Sequence, residues 1–150
     1  MASRSLSINV HITGVTETLA AFRRLPRDAS DALREGSLAL AEALAVKVRA
    51  AAESDSAQSA LMGPTVKARR DRIPTIEAGG STRVASSRVP AYKILFGSEF
   101  GARTLPQYRP HVGRGSYWMF KAVEDNEAQV AAAWLKVADD IVRRFTAGDV

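Results

Sequence analysis

The stretch DASDALREGSLALAEALAVKVRAAAES, residues 28–54, decides the fold. Leu33, Leu40, Leu44, Val48 and Ala51 recur at spacings of three, four and seven, the signature of one apolar face on a long helix. Asp28 is a good N-cap for it, and at 1.5 Å per residue the helix spans roughly 40 Å. Gly36 sits in its interior at a cost of about 1 kcal/mol relative to Ala. It marks either a close helix crossing or simple tolerance.

Upstream of this helix, Leu6, Ile8, Val10 and Ile12 alternate with polar residues over 5–12, which predicts a half-buried strand ended by Gly14. Thr16 is placed to cap a short helix to about Arg24, with Leu19 and Phe22 on one face and Pro26 as its stop. Downstream, the small and polar residues of 54–64 predict a loop. Thr65–Arg70 and Ile73–Ala78 predict two short strands. Gly79 and Gly80 break the chain, and the polar run 81–90 predicts an exposed excursion. Tyr92–Phe96, YKILF, predicts another strand, and the Pro- and Gly-bearing 102–116 an irregular loop. A last helix is expected from about Ser116 to Phe145, with Val123, Val130, Trp134, Ala138, Ile141 and Phe145 on one face. Strands and helices do not alternate regularly along the chain. The fold class is therefore α+β: a small antiparallel sheet of three to five strands packed on two long helices, in one domain over 1–150. The expected core is Leu33, Leu40, Leu44, Val123, Trp134, Ile141 and Phe145.

Composition narrows the function. The chain has 150 residues and no Cys, which removes disulfides, thiolate nucleophiles and cysteine-based zinc sites. Of its 46% apolar residues, 26 are Ala, so the core volume must come from a short set of larger side chains. No apolar run reaches the roughly 18–20 residues of a membrane span. The N-terminus lacks the apolar core of a signal peptide, so the chain is expected to stay where it is made. The net charge is +5, with sixteen Arg and five Lys. Ten bases and three acids lie between Gly63 and Ser116, leaving +7 there and −2 elsewhere. This basic strand and loop region, about 63–116, contains Lys67, Arg69, Arg70, Arg72, Arg83 and Arg88, the candidate DNA-channel or charged-interface residues. A concentration of positive charge suits phosphate or an acidic partner, although solvated loops explain it as well.

Enzyme chemistry finds no support. His11 and His111 are the only histidines, and neither has a catalytic motif beside it. Glu124-Asp125 and Asp139-Asp140 are adjacent on a helix and point in different directions. The glycines of 113–115 are too few for a dinucleotide loop, and no phosphate-binding loop occurs. No metal site, cofactor or catalytic residue is expected. The spacing of Gly97 and Gly101 matches a membrane-helix pairing motif, but no apolar span surrounds it. Phe96, Phe100, Tyr108, Tyr117, Trp118 and Phe120 cluster within 25 residues among Gly, Pro and Arg, the composition of interface centres. Stacking on bases and packing of the loop are the other readings.

Three segments, YKILFGSEFG at 92–101, QYRP at 107–110 and GRGSYWMF at 113–120, precede a long helix that ends in VRRF at 142–145. Together they resemble the small neck, or head–tail joining, proteins of long-tailed double-stranded DNA phages, many of actinobacterial hosts. The similarity covers about 28–146, and its specific part is 92–120. Ser116 stands where the family pattern leads one to expect Gly, and Lys121 where Pro is common. The resemblance implies a structural virion protein without catalysis, assembled in the host cytoplasm into the neck. Such a protein forms a homohexameric ring between the head-closure (stopper) protein and the tail terminator or tail tube. Genomic DNA passes through the ring without being read, and no membrane is involved. Phe96, Phe100, Tyr108, Tyr117 and Trp118 are then the candidate subunit interface. A tail terminator ring is the alternative within phages. A free-standing basic nucleic-acid-binding module is a more distant one, lacking any helix-turn-helix, RNA-recognition or zinc signature.

Overall fold

A computed structural model describes residues 5–81, 89–111 and 115–146. Strand β1, Ser5–Asn9, is followed by helices α1, Val15–Phe22, and α2, Arg27–Asp55, then by α3, Ala57–Met62, and a single 3-10 turn, Gly63–Thr65. Strands β2, Lys67–Arg69, and β3, Thr75–Gly79, come next, and helices α4, Ala91–Phe100, and α5, Met119–Thr146, complete the fold. The architecture is the expected α+β one: a three-stranded antiparallel sheet in the order β1-β3-β2 and two long helices. None of the described helices is long and apolar enough to cross a membrane.

The two long helices, α2 and α5, form the largest contact in the molecule and run antiparallel. Gly36 lies against Val137, while Lys47 Nζ donates to Asn126 Oδ1 at 3.1 Å. Gly36 does mark a close crossing: a Cβ built there would stand 2.6 Å from Val137 Cγ1. Of the expected core, Leu33, Leu44, Val123, Trp134 and Ile141 are buried, and Leu40 and Phe145 are partly buried against them. The sheet packs on the same core through Ile8, Ile76 and Ala78. In register, Ile8 faces Ile76, and Lys67 faces Glu77 with an ion pair of 3.3 Å.

A buried polar junction joins the layers. Ser37 Oγ donates to the carbonyl oxygen of Arg72 at 2.7 Å, and the Trp134 indole N–H donates to both, at 3.0 Å to Ser37 Oγ and 2.8 Å to Arg72 O. The turn between β2 and β3 is thereby fastened to both long helices. Every group in the junction has a partner, as burial requires.

Several local expectations are corrected. The segment 92–96 is helical, because Ala91, Ile94, Leu95 and Ser98 bury one face at helical spacing and Pro90 supplies a ready N-terminus. Region 63–116 therefore contains a helix as well as strands and loops. Residues 54–64 hold α3, whose first turn is capped by Ser56 Oγ accepting from the Ser59 N–H at 3.1 Å. The N-cap of α1 is Gly14, at φ 86°, rather than Thr16. Helix α2 begins at Arg27 behind Pro26, and Asp28 lies in its first turn, where a negative charge favours the helix dipole. The excursion at 81–90 lies mostly outside the described residues.

Candidate functional site

The described residues of the 92–120 block, 92–111 and 115–120, pack around a buried carboxylate. Glu99 extends the apolar face of α4, four residues after Leu95, and has no exposed surface. Its Oε1 accepts the Trp118 N–H and its Oε2 the Phe120 N–H, both at 3.2 Å. Its backbone carbonyl accepts the Tyr117 N–H at 2.7 Å. The first turn of α5 has backbone donors without helical partners, and Glu99 of α4 supplies the acceptors. Desolvation raises the Glu99 carboxyl above its ordinary value of 4.5, while hydrogen bonds from the Trp118 backbone, the Ser116 side chain and the Phe120 and Met119 backbones oppose that shift. Beside it, the Trp118 indole N–H donates to Ser98 Oγ at 3.1 Å, and that hydroxyl donates to Leu95 O.

Two glycines seat the connecting loop on α4. A Cβ at Gly97 would stand 2.6 Å from the Tyr108 ring, so the ring lies directly on the helix backbone. Gly101 has φ 80° and ψ 176°, and a Cβ there would come within 2.6 Å of Arg109 O. This is a conformation and an approach that only glycine allows. The Ala102 N–H donates to Arg109 O at 2.9 Å and closes the loop. Arg109 then pairs with Asp55 at the end of α2 and lies 3.8 Å from the centroid of the Tyr117 ring. The Tyr117 hydroxyl donates to Pro110 O at 2.7 Å. Burial also raises the Tyr108 phenol.

The candidate interface residues divide accordingly. Trp118 is only 2% exposed and belongs to the core, so its assignment to a subunit interface is corrected. Tyr108 and Tyr117 are half-buried in the loop they hold together. Phe96 remains 43% exposed. It stacks on Phe100 at 6.1 Å between ring centroids, and Phe100 lies 5.9 Å from Phe120. The three rings form a row that starts at the surface of α4 and ends on the first turn of α5.

The basic candidates divide too. Lys67 and Arg69 both point outward from β2, an edge strand, with Lys67 paired to Glu77 across the sheet. Arg70 is exposed and pairs with Glu35 at 2.9 Å. Arg72 is half-buried, and its carbonyl belongs to the Trp134 junction. Arg70 and Arg72 lie beyond the end of β2, so strand alternation does not govern them. Arg83 and Arg88 lie outside the described residues.

His11 is exposed, and its backbone N–H donates to Glu127 Oε1 at 3.0 Å; His111 is exposed in the loop. An open groove of about 470 Å³ between the end of α2 and the start of α5 is lined by Lys47, Asp55, Lys121 and Asp125 among others. Its mixed charges suit a polar protein surface better than a single ionic ligand. No protein-family model matches the chain, and no curated protein and no solved structure matches it either.

Proposed function

We propose that the chain is a structural protein of the phage neck, a ring former that joins the head connector to the tail and lets DNA pass. The observation that carries this reading is the construction of the 92–120 block. Its buried carboxylate, its two glycine seats and its Arg109 clamp stiffen a stretch that otherwise reads as loop, and it ends in an aromatic row open to the surface. A rigid, partly apolar surface with no catalytic grouping suits assembly. A basic edge strand on the sheet, with Lys67 and Arg69 outward, suits weak and salt-screened contact with phosphates, which leaves DNA free to slide.

Locating the chain in a virion density map tests the reading directly. The expected result is a six-fold ring between head-closure protein and tail; a position in the ring that caps the tail tube would replace it with the tail terminator reading. The channel role has its own test. A Lys67→Glu, Arg69→Glu double variant is expected to give particles that retain or eject DNA poorly. Arg70→Glu, Arg72→Glu is the comparison, affected through the lost Arg70–Glu35 pair rather than through DNA, while the Arg72 backbone carbonyl of the Trp134 junction stays in place. Normal infection by the first variant would leave the β2 charge as solvated surface.

A further inference from the structure

The loop that follows α4 closes on itself. The Ala102 N–H donates to Arg109 O at 2.9 Å, and inside that closure the Tyr108 N–H donates to Leu105 O at 3.2 Å, which makes a turn of 105–108. The Tyr108 ring seated on Gly97 fastens the closed loop to α4, and the Tyr117 hydroxyl on Pro110 O fastens it to the residues that lead into α5. One side of the loop is an open pocket of about 530 Å³, lined among others by Arg103, Leu105, Pro106, Tyr108, Pro110 and His111. Ligand sites commonly measure roughly 300–1,000 Å³. The pocket shares no lining residue with the aromatic row or with β2.

Two kinds of surface meet there. Arg103 and His111 supply N–H donors; both are exposed, and neither side chain has a hydrogen bond or ion pair among the described residues. Leu105, 49% exposed, stands with Pro106, Pro110 and the Tyr108 ring as apolar wall. No Asp or Glu is among the described residues that line the pocket, and Asp55 is held by Arg109, which does not line it. An Arg fork accepts a carboxylate through two parallel hydrogen bonds. A bare phosphate would use the donors and leave the apolar wall in water, whereas a carboxylate next to an apolar side chain satisfies both. The hydrogen bonds that shape the loop exist before any ligand arrives, so binding orders little chain. We infer that this pocket binds an extended segment of a partner protein that carries a carboxylate beside an apolar side chain, the carboxylate on Arg103 and His111 and the apolar group against Leu105, Pro106 and Tyr108. The chemistry of the segment follows from the pocket alone; the neck reading bears only on which protein brings it.

Three N-acetylated, C-amidated tetrapeptides, Gly-Glu-Leu-Gly, Gly-Gln-Leu-Gly and Gly-Glu-Ala-Gly, titrated into the isotope-labelled full-length chain and followed by amide NMR, test this. The Glu-Leu peptide is expected to shift the amides of 102–111 saturably, with a Kd of about 1 mM. The Gln-Leu and Glu-Ala peptides are expected to bind about fivefold to tenfold more weakly, the first without its charge-assisted bonds and the second without its apolar contact. Arg103→Gln is expected to erase the preference for Glu over Gln, and Leu105→Ala the preference for Leu over Ala. Both residues are exposed, and unchanged amides in α2 and α5 would show that each variant keeps the fold. No saturable shift at 102–111 up to about 10 mM peptide, or equal binding of the Glu-Leu and Gln-Leu peptides to the wild type, overturns the inference. Tighter binding of a short DNA duplex on the same amides also overturns it and makes the pocket a phosphate contact. A virion position outside the neck would refute the ring reading and leave these titrations unchanged.

Discussion

Glu99 Oε1 accepts the backbone N–H of Trp118 at 3.2 Å, across nineteen residues of sequence, so that one helix supplies the N-terminal cap of another. Most helix caps come from the residue just before the first turn. Here the cap is borrowed from α4, and the start of α5 is fixed relative to α4 rather than to its own preceding loop. Replacing Glu99 by Ala leaves the Trp118 and Phe120 N–H groups without their carboxylate, and the expected loss is about 3 kcal/mol in denaturant unfolding. A loss under 1 kcal/mol would show that the cap is replaced by water.

The same carboxylate sets a pH dependence. Its pKa in the folded protein is raised, so the folded state holds this proton more tightly than the unfolded chain does. Stability from this group is therefore greatest at acid pH and falls as pH rises through the raised value. Glu99→Gln removes the titration. Relative to wild type, the Gln variant is expected to become more stable between about pH 4.5 and neutrality, with a constant difference at lower pH. Urea unfolding of both proteins across that range measures it; a wild type that gains on the variant with rising pH would mean that the helix N-terminus outweighs desolvation.

At Gly101 and Gly97 the cost of a methyl group has different origins. Gly101→Ala adds backbone strain at positive φ and a contact with a carbonyl that cannot yield, for an expected loss of about 3 kcal/mol. Gly97→Ala meets the Tyr108 ring first, and Ala is favoured by about 1 kcal/mol inside a helix. The Gly97→Ala penalty should vanish, or change sign, in a Tyr108→Ala background, whereas that of Gly101→Ala should persist. Thermal unfolding of the two single glycine variants, Tyr108→Ala and the two double variants separates the two cases.

The α2–α5 crossing permits a similar cycle. Gly36→Ala drives a Cβ into Val137 Cγ1, while Val137→Ala removes the obstacle. The double variant should be more stable than Val137→Ala alone by about 1 kcal/mol, the helix propensity difference. An additive cycle would mean that the helices move apart freely.

Trp134 is fully buried and holds both Ser37 Oγ and Arg72 O. Trp134→Ala is expected to cost about 3–5 kcal/mol, and Ser37→Ala about 1–2 kcal/mol, since the indole keeps its second acceptor. Chemical denaturation checks both values. A loss below 1 kcal/mol for Trp134→Ala would place its side chain outside the packed interior.

Periodicity made the long helices legible because Leu33, Leu44, Trp134 and Ile141 face one core at regular spacing, and alternation did the same for β1. It misled at 92–96, where YKILF alone has the composition of a strand. Extending the window to Ser98 and Glu99 turns Ala91, Ile94, Leu95 and Ser98 into a helical face, with Gly97 as an interior position that makes room for Tyr108. Helix α3 hid in small polar residues whose only local signal was Ser56 as a cap. The exposed row could be sought among the clustered aromatics, but their individual burial could not. Trp118 goes inward and Phe96 outward because a carboxylate two turns into α4 pins the start of α5, and no local spacing encodes that pairing. The Trp134 junction ends on a backbone carbonyl, an acceptor every residue has and no sequence pattern reveals.

The chain contains two tryptophans, and both sit in buried joints with an indole N–H on a serine hydroxyl: Trp118 on Ser98 where α4 meets α5, and Trp134 on Ser37 where α2 crosses α5. The protein thus carries a separate fluorescent reporter at each joint. Single-tryptophan forms made with Trp118→Phe or Trp134→Phe would follow the two joints independently by emission wavelength. Coincident transitions would mark one cooperative unit. An earlier red shift from Trp118 would show the aromatic block loosening while the long helices stay together, the order in which a subunit would remodel its contact surface without losing its frame.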